Sequence, residues 1–234
     1  MKLLLCSDFS GIGYMYLNEF FSETKGLTAL FVGYATEDEF EEESGSVRKL
    51  QEMGVKVVFL KENYRFNDKI DMIFVRGGNT TRLIHFLRKF NQYEKIKQLA
   101  ENGAVYIGSS AGSVLVGSDT EYTLRSEPYE YDLKQIYGKN ALNGFGWIDK
   151  LVFVHASRYR ICWTGEMENE NDVFKTIDTF CYPAYLSDVR KYNKDEFIKI
   201  ANNEVLIING DKIKRKKYNL KDLPLKIVGY ENDA

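Results

Sequence analysis

The sequence predicts a three-layer α/β/α protein whose sheet is mostly parallel, with antiparallel strands added near the C-terminus. Three observations carry this fold class. Short apolar runs alternate with helix-periodic segments through the first half of the chain. One such run, residues 104–107, passes through Gly108-Ser109-Ser110-Ala111-Gly112 into a helix start at residues 113–116, the sequence form of a sharp strand-to-helix elbow. Asn209-Gly210, set between alternating segments, is the strongest hairpin signal in the chain.

The elements follow in order. Residues 2–6 form a first strand; this apolar stretch is too short for a signal sequence and turns polar at Ser7-Asp8. Ser10-Gly11-Ile12-Gly13 leads into a helix over residues 14–21, and its Gly-x-Gly lacks the third glycine of a dinucleotide fingerprint, the position being Tyr16. Residues 27–33 read as a strand. Residues 37–53 read as a helix with Phe40, Val47, Leu50 and Met53 on one face, closed by Gly54. Strands at 55–60 and 70–75 follow, then Arg76-Gly77-Gly78-Asn79-Thr80. There the glycines either present backbone N–H groups at the sheet edge or simply make a tight turn, with Asn79 capping a helix over 80–88. A helix over 93–101 returns the chain to the elbow strand.

Residues 118–143, rich in Tyr and Glu without a sustained period, read as a long loop that forms a lid or wall of the site or else a solvated surface. Residues 151–154 are another strand, with His155 at its end. A helix is expected over 172–178, then an apolar segment, 180–188, that ends in Asp188. Residues 197–200, 205–208 and 212–214 read as an antiparallel meander closing the sheet, and the basic run 212–217 as an exposed strand whose charges discourage edge pairing.

Length and composition bound the function. At 234 residues the chain suits one α/β domain, residues 1–234. A formal net charge of -2 provides no basic field for nucleic acid or a membrane surface, so a small molecule or small peptide is the expected partner, with homo-oligomerisation left open. Cys6, Cys162 and Cys181 show neither a disulfide framework nor metal-ligand spacing. With no run long enough to span a bilayer, a cytoplasmic protein is expected, and no metal or organic cofactor is called for.

The chemistry centres on Ser110. A side chain at the tip of such an elbow is thrust out of the sheet, small flanking residues relieve the crowding, and the Ala111 N–H at the helix start faces any oxyanion that develops. The bland alternative is a Gly/Ser turn that caps a helix. A serine nucleophile needs a base, and the chain has two histidines. His85 lies within a predicted helix; His155 stands at a strand end, where open α/β sheets build their sites. Asp188 is a candidate to orient the imidazole, or else a turn residue. Arg158 and Arg160 are candidates to hold a substrate carboxylate, or else exposed cations.

This ordered set resembles peptidase E, the aspartyl dipeptidase, and its cyanophycinase-like relatives, whose fold is similar to the class I glutamine amidotransferases. The resemblance rests on Arg76-Gly77-Gly78-Asn79-Thr80, Gly108-Ser109-Ser110-Ala111-Gly112-Ser113, His155 and, more weakly, Tyr185-Leu186-Ser187-Asp188. It implies a serine peptidase in which Ser110 is the nucleophile, His155 the general base and Asp188 the third member. Gly77, Gly78 and Ala111 would supply oxyanion N–H groups, and Asn79, Arg158 and Arg160 would lie near the substrate. Peptidase E itself carries Glu in the third place, and its acidic residue in an Asn-Asp pair after the elbow has no counterpart in residues 124–127, so the resemblance does not extend to a preference for N-terminal aspartate. Two other readings share the elbow. One is an α/β-hydrolase esterase, whose acid would precede the histidine and come from Asp119, Asp132 or Asp149. The other is a ligand-binding relative without catalysis.

Overall fold

The computed structural model describes residues 1–37, 45–125, 131–156, 159–161, 196–218 and 227–229. Five parallel strands lie at the centre: β1 (Lys2–Cys6), β2 (Thr28–Val32), β3 (Lys56–Phe59), β4 (Met72–Val75) and β5 (Val105–Ser109). With β9 (Glu204–Asn209) and β10 (Lys212–Lys217) they make a seven-stranded sheet of order β10-β9-β1-β5-β4-β2-β3, in which β9 runs antiparallel to β1. Two short pairs stand outside it: β6 (Leu151–Phe153) with β8 (Phe197–Lys199), and β7 (Tyr159–Ile161) with β11 (Ile227–Gly229).

The strands are apolar on both faces, as a sheet covered on both sides requires. Side chains alternate between two cores: Leu3, Leu5, Leu30, Val32, Ile73, Val75 and Tyr106 point one way, Leu4, Cys6, Ala29, Phe31, Met72, Phe74 and Ile107 the other. Helices α2 (Thr80–Lys89) and α3 (Tyr93–Glu101) cover the first core through Leu83, Ile84, Leu87 and Ile96. Helix α1 (Gly45–Glu52), with Val47 and Leu50, covers the second.

Several elements depart from expectation. Residues 14–21 contribute to a 3-10 helix, Gly13–Glu19, and the helix expected from residue 37 starts at Gly45 within the described chain; Phe40 lies outside it. Residues 118–143 are more structured than a loop. They contain a 3-10 turn, Glu121–Arg125, and helix α5 (Leu133–Tyr137) capped by Asp132, and a bridge joins Asp119 to Asn143. Two of their tyrosines pack inward: the Tyr122 hydroxyl donates to the Val152 carbonyl, and Tyr131 stacks on His85 at 3.8 Å between ring centres. Residues 197–200 do not join the meander. Strand β8 pairs parallel with β6 instead, because the chain turns at Ala201, where the Glu204 N–H donates to the Ala201 carbonyl, before β9 enters the main sheet. The helix expected at 172–178 and the apolar segment 180–188 lie outside the described residues.

Register decides what meets at the sheet's edge. Cys6 lies opposite Ser109 and Val75 opposite Gly108, so Ser7, Arg76-Gly77 and Ser110 all leave the sheet on one side. Because β9 is antiparallel and pairs Val205 with Cys6, the residues just before it arrive at that same edge. Ser113 clamps the corner: the Cys6 N–H donates to its Oγ at 3.1 Å, and the hydroxyl lies 2.8 Å from the Cys6 carbonyl and 2.7 Å from that of Gly108. Ser113→Ala removes the buried hydroxyl that ties Cys6 to Gly108 and is expected to lower unfolding free energy by about 1 kcal/mol, measurable by urea titration; an unchanged midpoint would show that the clamp contributes nothing.

Candidate active site

The elbow is built by close backbone approach. A Cβ on Gly108 would sit 2.6 Å from the Gly112 carbonyl oxygen, and one on Gly112 would overlap the Val75 carbonyl, so neither position tolerates a side chain without movement. Between them Ser110 adopts φ 49° and ψ -111°, a strained conformation for a non-glycine residue. Its N–H donates to the Cys6 carbonyl at 3.0 Å. The Tyr106 hydroxyl donates to the Gly112 carbonyl at 2.8 Å and braces the turn from beneath. Helix α4 (Ala111–Val114) starts immediately after Ser110, so Ala111 presents one of the first amides of a helix, which have no acceptor within it. Ser109 faces inward and accepts from the Phe9 N–H at 3.2 Å.

Ser110 Oγ meets His155 Nε2 at 3.0 Å, across 45 residues of sequence. His155 also holds a left-handed backbone, φ 55°. Its Nδ1 lies 2.7 Å from Asn202 Oδ1, and Asn202 is buried at 5% exposure. An amide oxygen accepts, so this contact places the ring proton on Nδ1 and leaves the Nε2 lone pair facing the serine hydroxyl. The chain order of these contacts is Ser110, His155, Asn202. The Nδ1 partner comes after the histidine, opposite to the order of an α/β-hydrolase. Two of the acids such an enzyme would draw on have other duties: Asp119 accepts from the Glu121 N–H, and Asp132 caps α5.

Gly77 packs against the serine, for a Cβ there would sit 2.8 Å from Ser110 Cβ and 3.6 Å from its Oγ. Gly78 takes φ 138°, and a Cβ on it would overlap the Ala35 carbonyl. Asn79 caps α2: its Oδ1 accepts from the Arg82 N–H at 2.9 Å and the Thr81 hydroxyl at 2.6 Å. Two cations border the glycine pair, Arg76 donating to Thr36 Oγ1 at 3.1 Å and Arg82 donating through Nε to the Thr36 carbonyl at 3.2 Å. Asp188 and Arg158 lie outside the described residues, and Arg160 is placed only as a member of β7.

Two groups do not belong to this constellation. His85 is buried in α2 beneath Tyr131, with the Tyr137 hydroxyl 3.3 Å from its Nδ1. Burial, then the Asp8 charge, pushes the Cys6 thiol well above its ordinary range, although its hydrogen bond with Ser109 opposes this; Cys6 stays protonated and inert. Sequence reasoning missed Asn202, which lies between the strands expected at 197–200 and 205–208. The available signal was topological: the start of an antiparallel strand beside β1 shares an edge with the ends of its parallel neighbours.

A three-layer α/β fold carrying a strained serine at a strand end, in contact with an imidazole from a distant segment, defines the class to which this architecture belongs. The family follows from comparison: the chain matches the model of peptidase family S51 over residues 3–216 and belongs to that family. Peptidase E of Haemophilus influenzae is 32% identical over 130 residues, which cover 50% of this chain and 59% of that protein. An uncharacterized peptidase of Listeria innocua is 30% identical over 228 residues, 93% of this chain and 97% of the relative. The crystal structure of a candidate peptidase E protein from Listeria monocytogenes superposes with a TM-score of 0.68 at 22% identity, covering 93% of this chain and 98% of that one, and shares the fold. No helix among the described residues is long and apolar enough to cross a membrane.

Asn202→Asp tests the contact on Nδ1. A carboxylate there stabilises the charged imidazole, so the histidine-controlled limb of a pH–rate profile is expected to move to higher pH. A profile unmoved by the substitution would show that Asn202 does not bear on His155.

Proposed function

We propose that the protein is a serine peptidase of the S51 type that hydrolyses a small peptide through an acyl-enzyme. The single observation carrying this reading is the 3.0 Å contact between Ser110 Oγ and His155 Nε2, with Asn202 on the far side of the ring. In the proposed sequence, Ser110 Oγ attacks the scissile carbonyl while its proton passes to His155 Nε2. The tetrahedral oxyanion is received by backbone N–H groups of Ala111 and the Gly77-Gly78 pair. His155 then gives its proton to the leaving amine as the C–N bond breaks. Water, deprotonated by the same nitrogen, attacks the acyl-enzyme and restores Ser110.

We assign Asn202 to the orienting place. It fixes the ring's tautomer and direction as an acid would, as the Cys-His-Asn peptidases illustrate, but adds no negative charge beside the imidazolium. The oxyanion donors stabilise the developing charge directly; losing one such donor typically raises the barrier by about 2.7–4 kcal/mol.

The test is direct. Wild-type protein is expected to form a one-to-one adduct with a fluorophosphonate and to cleave members of a dipeptide panel. Ser110→Ala should keep the melting temperature within a few degrees while losing both activities, a fall of about 10⁴-fold or more in turnover. Retention of either activity would remove Ser110 from its role, and a wild-type protein inert to probe and peptides alike would favour a ligand-binding relative.

A further inference from the structure

Consecutive residues at the end of β1 bond to the nucleophile, to the base and to the segment that carries the amide partner of the base. Cys6 fixes the nucleophile, its carbonyl accepting from the Ser110 N–H at 3.0 Å. Ser7 reaches His155 and the segment bearing Asn202: the His155 N–H donates to Ser7 Oγ at 2.9 Å, and the Ser7 hydroxyl donates to the Ile200 carbonyl at 3.0 Å, two residues before Asn202. These bonds span 148 and 193 residues of sequence. The Ile200 carbonyl also accepts from the Ala156 N–H at 3.1 Å, so the segments bearing the imidazole and its amide partner are sewn together at this hydroxyl.

We infer that Ser7 is a positioning residue for the reaction: one buried hydroxyl sets the imidazole of His155 between Ser110 and Asn202. At 2% exposure it cannot touch substrate, so it acts through His155. The need for it lies in the backbone. His155 is held at φ 55°, a conformation that a non-glycine residue keeps only where its surroundings enforce it, and its N–H is the group that Ser7 holds. A hydroxyl both accepts and donates, which is what joining an N–H to a carbonyl requires. Without it, relaxation of the His155 backbone swings the ring from a geometry in which a displacement near 1 Å can cost about 100-fold in rate.

The inference rests on the peptidase reading for its kinetic consequence but not for its spectroscopic one. Ser7→Ala is expected to lower kcat about 10- to 100-fold with little change in KM, and Ser7→Thr, which keeps the hydroxyl, to restore most of it. Thr24→Val serves as control, because it removes a hydroxyl bond to the Met53 carbonyl at the opposite edge of the sheet. In parallel, ¹⁵N-edited NMR follows the His155 Nδ1–H held by Asn202. The chain has two histidines, so a His85→Gln variant assigns the signal. The resonance should be sharp in wild type, lost or broadened in Ser7→Ala and unaltered in Thr24→Val. Should Ser7→Thr fail to fold, the resonance in Ser7→Ala decides alone. A Ser7→Ala protein with an intact Nδ1–H and wild-type kcat overturns the inference. If wild type is inert yet its Nδ1–H depends on Ser7, the peptidase reading falls and the positioning role stands.

Discussion

The approach of two backbones at the end of β5 is the constraint on which the site depends. Gly112 lies so near the Val75 carbonyl, and Gly108 so near Gly112, that neither position has room for a side chain. The chain escapes by placing Ser110 in a strained conformation that directs its hydroxyl away from the sheet. Such strain persists only if the surroundings over-determine it. Here the Ser113 clamp, the Tyr106 brace and the Cys6 carbonyl do so from three directions. A residue free to relax would offer a mobile hydroxyl and no preformed place for an oxyanion.

The partners reach the serine through topology. Parallel β1, β4 and β5 end together, and the one neighbour of β1 that runs the other way begins where they end. The turn before β9 thus delivers Asn202 to the edge where Ser7 and Ser110 emerge, while the β6–β8 pair outside the main sheet brings His155 across it. The turn carrying Asn202 is itself held: the Ala201 N–H donates to the Glu204 carboxylate, which is paired with Arg215 of the edge strand at 2.8 Å. That gives at least one residue of the basic run a structural duty besides blunting an edge.

Much of this was legible in the sequence because the signals were local. Alternation of apolar residues located the five parallel strands, Gly77-Gly78 and Gly108-Ser110-Gly112 marked the backbone close approaches, and the scarcity of histidine left His155 as the candidate base. What escaped was non-local. Asn202 and Ser7 resemble ordinary turn and strand-end residues until the register of β9 against β1 is known, and nothing near them in sequence announces an imidazole. The tyrosines of residues 118–143 misled for a related reason. Their lack of period suggested a loop, yet Tyr122 and Tyr131 are spent on packing against β6 and α2, where tertiary burial overrode local propensity.

The structure of a phosphonate adduct tests the central claim most directly, since phosphorus mimics the tetrahedral carbon at the moment its charge develops. If the strained serine is the nucleophile, phosphorus will be bonded to Ser110 Oγ. One phosphonyl oxygen will lie within about 2.7–3.1 Å of backbone N–H groups from Ala111 and the Gly77-Gly78 pair, and His155 will remain on Asn202. An adduct on another side chain, or a phosphonyl oxygen turned to solvent away from those amides, would contradict it.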